Sequence, residues 1–473
     1  MNENRAGSDT TASKPAPVKD SLRRVSPIAW VPTAYFAMGL PFVVLNMAAV
    51  LMFQGLGIDD AMIAFWTSLI LLPWTLKPLW SPFLELFKTR KFYVVTTQII
   101  TGVGFGLVAL SLMLPNFFPV AIAFLAIVAF SGATHDIACD GVYMGALSNA
   151  EQSKYIGWQG AFYNIAKIVV TGGLVYLSGY LINRFAGDSA SPAALFLANR
   201  NAWMIIMVIL SVVMVLLGIY HIFILPTGGS AQASADGKRP TASEVTRELW
   251  MVLREFFTKK YIWIYIAFIL LYRFGEGFVV KIVPLFLKAG REVGGLGLDN
   301  QQIGMYYGTF GAAAFVLGSL LAGYYISHRG LRRTLFSLCC IFNIPFAVYA
   351  VLAFFQPEQG WIIASGIVME YFGYGFGFVG LTLFMMQQVA PGKHQMAHYA
   401  FASGIMNLGV MIPGMLSGWL SDMLGYKIFF IVVMVATIPA FIITKLVPFR
   451  YDDKGKLLEA EEDALMAPDK DIV

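Results

Sequence analysis

The chain has 473 residues, of which 58% are hydrophobic and only 13% charged, with a formal net charge of +5. A soluble fold of this length needs far more charge to cover its surface, so a water-soluble globular protein is excluded. The basic excess is not a nucleic-acid signal, because most Lys and Arg stand between apolar blocks.

The first 27 residues are polar, rich in Ser, Thr, Pro and Lys, and read as a disordered tail without a cleavable signal peptide. Twelve apolar blocks follow, at about 28–54, 61–83, 92–114, 119–147, 155–183, 201–225, 261–287, 300–326, 334–355, 360–389, 396–420 and 428–444. Each is long enough to cross a hydrocarbon core of roughly 30 Å as a helix. The expected fold is an all-α polytopic membrane protein with twelve transmembrane helices in two six-helix halves, 28–225 and 261–444. A linker, 226–260, joins the halves and a charged tail, 445–473, ends the chain. Six spans, a soluble linker and six more spans resemble the layout of the major facilitator superfamily.

Within the linker, Pro226-Thr-Gly-Gly-Ser230 is a flexible composition. Thr241-Ala-Ser-Glu244 then reads as a capping box. It opens a surface helix with Val245, Leu249, Trp250, Leu253, Phe256 and Phe257 on its apolar side. With the N-terminus inside, the outer loops hold only Arg184, Arg200, Lys288, Arg291 and Lys427. That asymmetry places both termini in the cytoplasm.

The halves echo each other. Ala161-Phe-Tyr-Asn164-Ile-Ala in the fifth span has a counterpart in Gly404-Ile-Met-Asn407-Leu-Gly in the eleventh, as parallel repeats require. Two inner loops match as well. Ser81-Pro-Phe-Leu-Glu85-Leu-Phe-Lys88-Thr-Arg90-Lys91 follows the second span. Gly323-Tyr-Tyr-Ile-Ser-His-Arg329-Gly-Leu-Arg332-Arg333 follows the eighth. Each resembles a degenerate copy of the superfamily's basic loop. The resemblance implies a cytoplasmic latch formed by Glu85, Arg90, Lys91, Arg329, Arg332 and Arg333.

Ionisable residues inside a bilayer are costly and call for a function or a partner. Here the acids are Asp136, Asp140, Glu276 and Glu370, and the bases are Lys77, Lys167, Arg273 and Lys281. Asp136 and Asp140 lie one turn apart on one helix face, where each raises the other's proton affinity. They are candidates for proton coupling, with Glu276 and Glu370 as further carboxylates, or for structural pairing with Lys77 or Lys167. Arg273 and Glu276, three apart, pair within the seventh span, beside Gly275, Gly277 and Pro284, which weaken that helix. Candidate substrate contacts are Asn46, Gln159, Asn164, Arg273, Glu276, Lys281 and Tyr374, while His135 and Asn407 are polar enough to line a cavity. Spans four, seven and ten are expected to line it.

Three motifs together resemble AmpG-type muropeptide permeases: Lys77-Pro-Leu-Trp80-Ser-Pro82, Ala133-Thr-His-Asp136-Ile-Ala-Cys-Asp140 and Leu271-Tyr-Arg-Phe-Gly-Glu-Gly-Phe278. The resemblance implies proton-driven import of muropeptides across the bacterial inner membrane for wall recycling, with Lys77, Asp136, Asp140, Arg273 and Glu276 as functional positions. The departures are Glu276 for an aspartate, His135 for a glutamine and Gly141 for an alanine. The alternatives are a permease for another oligosaccharide or an anionic solute such as an acyl-CoA, and a membrane sensor. The cysteines, Cys139, Cys339 and Cys340, fall in apolar blocks and form no disulfide framework. No nucleotide loop, metal cluster or nucleophile–base set is legible, so neither an enzyme nor a cofactor is expected. The expected partners are a glycan or glycopeptide substrate, protons and the bilayer, with the chain a monomer that binds no nucleic acid.

Overall fold

The computed structural model describes residues 25–147, 149–187, 191–227, 241–392, 394–452 and 457–458. The N-terminal tail, the first part of the linker and most of the C-terminal tail lie outside them. Among the described residues, ten helices are long and apolar enough to cross a membrane. Spans one to six are Pro27–Gly55, Asp60–Ser81, Arg90–Ser111, Phe117–Ala146, Trp158–Ala186 and Pro192–Ile224. Spans eight to ten are Asn300–Ile326, Leu331–Phe355 and Gly360–Val389. The last helix, Ala397–Leu446, runs 50 residues but is broken at Gly425, whose φ of 66° is not helical. It reads as spans eleven and twelve.

The seventh span is two helices, Ile262–Tyr272 and Phe274–Lys288, with Arg273 between them at φ −104° and ψ 7°. That interruption fits the expected weak point, and the whole fits a twelve-span layout. Side chains start several helices. Asp59 accepts from the Met62 amide, Thr89 from that of Phe92, and Ser191 from that of Ala194.

Hydroxyls and amides hold the N-terminal half together where water is absent. Gln98 is the hub. Its amide nitrogen donates to His135 Nε2 at 2.9 Å, and its carbonyl accepts from His221 Nδ1 at 2.8 Å. The Thr33 hydroxyl donates to His221 Nε2 at 2.9 Å. These four residues tie spans one, three, four and six together. His135 is thus part of a packing network, not of a cavity wall.

The linker helix, Ala242–Phe257, carries the capping box at Thr241 and Glu244. The Thr241 backbone N–H holds the Glu244 carboxyl below the ordinary carboxylate range. The apolar side agrees with expectation at Val245 and Phe256 and differs at Trp250 and Phe257, which are exposed. Val245, Val252 and Phe256 are buried, and the helix packs on spans two and eleven. Trp250 is left 69% exposed, with Met251 beside it. Lys259 then reaches the carbonyls of Val389, Ala390 and Pro391 at 2.7, 3.3 and 2.7 Å, capping the tenth span. Glu255 pairs with His394 at 3.5 Å.

Between the halves, the fifth and eighth spans approach through glycine. A Cβ on Gly179 would stand 2.6 Å from the Gln301 nitrogen, and one on Gly304 would stand 2.7 Å from that of Tyr176. Only glycine allows backbones this close.

Candidate functional site: a central cavity between the halves

A cavity of about 460 Å³ lies between the two halves. Spans one, two and five line it from one half, and spans seven, eight, ten and eleven from the other. Its size suits a small-molecule site. Three of these spans carry a π-helical turn near it: Val44–Ala48, Val169–Leu174 and Gly304–Phe310. Such turns widen the helix and redirect side chains. Asn46 sits on the first and Tyr307 on the third, and both line the cavity.

Arg273 and Glu276 form the strongest electrostatic feature. Arg273 Nε and Nη2 donate to the two carboxylate oxygens at 2.6 and 2.5 Å. The residues are 7% and 4% exposed. The pair is bidentate, the geometry that best offsets desolvation. Arg273 also reaches the Tyr374 hydroxyl at 3.5 Å and lies 5.2 Å from the Phe378 ring centre. The flanking glycines have a steric reason. A Cβ on Gly275 would stand 2.6 Å from the Thr437 methyl, and one on Gly277 would overlap Pro413 and the Val410 carbonyl. The broken helix and the pair are therefore pressed against spans eleven and twelve.

Glu370 is buried on the tenth span and accepts from the Tyr349 hydroxyl at 2.9 Å. Lys167 behaves differently from the expected carboxylate partner. Its ammonium lies over Phe315, Tyr371 and Tyr374, 4.6, 5.4 and 5.7 Å from their centres. It comes from the N-terminal half and the rings from the C-terminal half. Asn164 and Asn407, the repeat-related asparagines, both line the cavity.

Asp136 and Asp140 do not line it, and neither does any other residue of the fourth span. Contrary to expectation, span four does not line the cavity: Trp74 of span two stands in front of it. Trp74 faces the cavity and donates its indole N–H to Asp136 Oδ2 at 2.8 Å. Lys77 pairs with the same oxygen at 3.8 Å, as one reading of the sequence had it. The second oxygen, Asp136 Oδ1, is buried without a partner. Asp140 accepts from the Tyr35 hydroxyl at 2.8 Å and from Gln159 at 3.5 Å. Gln159 therefore belongs to the aspartate cluster and not to the cavity wall. Sequence reasoning missed Trp74 and Tyr35; the one available signal was that Trp74 stands three residues before Lys77.

The loop residues are dispersed. Arg90 donates to the Gly141 carbonyl at 3.0 Å, inside the N-terminal half. Arg329 lies over Tyr325 of its own helix, and Arg332 and Arg333 are exposed. The side chain of Glu85 is outside the described set, and Lys91 is half-buried. The expected latch includes Glu85 and so lies in part outside the described residues.

The sequence profile of the Major Facilitator Superfamily matches residues 33–394 and 295–468. The chain belongs to this superfamily. Among its superfamily relatives is an anhydromuropeptide permease of Escherichia coli K12, 23% identical over 414 residues, covering 86% of this chain and 77% of the relative. An uncharacterised protein of Haemophilus influenzae is also 23% identical, over 86% of this chain and 91% of its own. Superfamily folds align throughout. A D-xylose-proton symporter superposes with a TM-score of 0.67 at 12% identity, covering 91% of this chain and 99% of its own. An inward-facing bacterial homologue of the lysosomal transporter Spinster gives 0.66 at 14%, covering 89% and 97%. The relatives named for an activity are permeases and transporters, not enzymes, and this chain is a multi-pass membrane protein of that superfamily.

Proposed function

We propose that this protein is a proton-coupled secondary transporter that imports muropeptides or related amino-sugar glycans by alternating access. The observation that carries the reading is the central cavity, lined from both halves and holding a buried Arg273–Glu276 pair. Motif likeness and the 23% identity to a permease named for anhydromuropeptides support the substrate class. The proposed location is the bacterial inner membrane, with both termini in the cytoplasm, in keeping with the charge asymmetry of the loops.

In this reading Arg273, Glu276, Tyr374, Asn46 and Asn164 contact substrate. Their amides, hydroxyl and ion pair match sugar hydroxyls and acetamido groups in hydrogen-bonding capacity. Asp136 and Asp140 carry the driving proton. Trp74 links the two functions, because it faces the cavity and bonds Asp136 with the same ring. A ligand that moves Trp74 changes the hydrogen bonding of Asp136 and so its hold on a proton. Glu370 is a second proton candidate, held by Tyr349 within the C-terminal half.

A second reading, a permease for another anionic solute, is favoured by Lys167 and Lys281. Among the described residues, neither has a carboxylate at ion-pair distance. Uptake into proteoliposomes tests both readings. A labelled disaccharide-peptide should accumulate only when the outside is acidic, and unlabelled muropeptide should compete. Accumulation that ignores the pH gradient would remove proton coupling. No uptake of the glycan, with uptake of an unrelated anion, would favour the second reading.

A further inference from the structure

The hydrogen bonds between the halves gather at the end of the bundle opposite the chain termini. Gln54 donates to the Leu285 carbonyl at 3.0 Å, and Lys288 to the Leu51 carbonyl at 3.1 Å. The Tyr426 hydroxyl donates to Asp60 at 3.1 Å, and Asn300 to the Ser178 hydroxyl at 3.0 Å. These contacts close the far end, which is the outer gate if the termini are cytoplasmic.

A further link between the halves comes from Lys281, which lines the cavity. It stands on the seventh span, one turn beyond Gly277. Its ammonium donates to the Thr67 carbonyl at 3.2 Å and the Asn46 side-chain oxygen at 3.4 Å, both in the other half. The residue is 2% exposed. Both acceptors are neutral, both bonds are long, and no described carboxylate is at ion-pair distance. A buried ammonium satisfied only by neutral oxygens retains most of its desolvation cost. Beside it, Ser68 lines the cavity with its hydroxyl buried and without a partner. The two meet at Gly414: a Cβ there would stand 2.8 Å from Ser68 Oγ and 3.5 Å from Lys281 Cγ. The site therefore offers an uncompensated cation and, beside the stem of the same side chain, an idle hydroxyl. These are the complements of a carboxylate and an adjacent hydrogen-bonding group.

We propose that Lys281 and Ser68 receive a carboxylate of the substrate, and that this carboxylate draws Lys281 off Asn46 and Thr67 and so loosens the outer gate. The inference rests on the transporter reading and adds to it a charge requirement and a trigger. The energetic direction is fixed by the chemistry. An ion pair in a dry site is stronger than a hydrogen bond from the same ammonium to an amide or peptide oxygen. A neutral ligand gives Lys281 no reason to leave the gate. A ligand shifts such an equilibrium only by its differential affinity for the two states, and the carboxylate supplies that difference here.

The test follows the gate directly. In a chain with its three native cysteines replaced, Met47→Cys reports on the cavity, which its side chain lines. An impermeant thiol reagent is added from the outer side of right-side-out vesicles. The probes are a disaccharide-tripeptide with free carboxylates and the same compound with every carboxylate amidated. The carboxylated probe should speed labelling at least several-fold and the amidated probe should not. Lys281→Met, which keeps length and removes the charge, should label fast without any probe and lose the difference between probes. Lys281→Arg should keep part of that difference. Equal acceleration by both probes overturns the carboxylate trigger. Slow, wild-type labelling of Lys281→Met without probe overturns the gating role. If neither probe affects the wild type, the glycan reading fails, and the probe-free rate of Lys281→Met still decides whether Lys281 holds the gate.

Discussion

The Arg273 guanidinium and the Glu276 carboxylate depend on one another because neither reaches water freely. Removing one partner of a buried pair costs roughly 3–5 kcal/mol, since the other charge stays behind unpaired. Arg273→Ala is expected to abolish uptake and to lower thermal stability, and Arg273→Ala with Glu276→Gln is expected to recover stability without recovering uptake. Melting temperature and transport measured on the same preparations check this. Wild-type uptake by a folded Arg273→Ala protein would remove the residue from the site. Asp136 differs, with a tryptophan and a lysine on one oxygen and nothing on the other. Asp136→Asn keeps the size and the indole bond but cannot release a proton. It should lose accumulation driven by a pH gradient and keep substrate exchange, which needs no net proton movement. The Asp136→Asn, Asp140→Asn double variant should be no worse than the worse single variant if the two act as one unit. Gradient-driven accumulation at wild-type level in the double variant would move proton coupling to Glu276 and Glu370.

At the scale of helices, the contact between spans five and eight is built on missing side chains. Gly179 and Gly304 each sit where a Cβ would stand within 2.7 Å of backbone across the interface. Backbone cannot yield as a flexible side chain can. Gly304→Leu should therefore force the far end of the bundle apart, trapping one conformation. The expected outcome is lost uptake, normal insertion and faster labelling of Met47→Cys from outside. Ordinary uptake by Gly304→Leu would mean that the halves separate elsewhere. The seventh span shows the opposite device. Its helix is interrupted at Arg273, and glycines on both sides of Glu276 let the broken segment press on spans eleven and twelve. A hinge in a helix that carries the cavity's ion pair couples side-chain chemistry to helix bending.

For the whole molecule, the proposed alternating access would use the two-half architecture to turn local changes into opening of one side or the other. The bonds at the far end close one side, and Lys167, bridging from one half onto three rings of the other, ties the halves across the cavity. Topology is set separately, by the loops. A cysteine at Ser230, in the linker outside the described residues, is expected to resist an impermeant reagent applied to intact cells and to react after permeabilisation. Labelling in intact cells would invert the orientation and exchange the meanings of inner and outer gate.

The sequence by itself determined the membrane class, the helical blocks and the division into halves, because a bilayer demands long apolar runs and allows few structures. It also marked the charged residues, since each one stands out in such a run. Proximity in sequence was enough for Arg273 with Glu276, three apart on one span. Proximity in space was not legible. Only the tertiary structure put Trp74 between the cavity and Asp136, sent Gln159 to Asp140 and laid Lys167 on aromatic rings. Only it joined Lys281 to Asn46 and Thr67 across the halves. The reason is physical. Helical periodicity tells which residues share a face, but the rotation and depth of each helix against its neighbours are set by the packing of all the spans at once. A carboxylate one turn from another can be found by counting. Whether it faces a cavity or the back of a tryptophan is decided by the helix that packs in front of it.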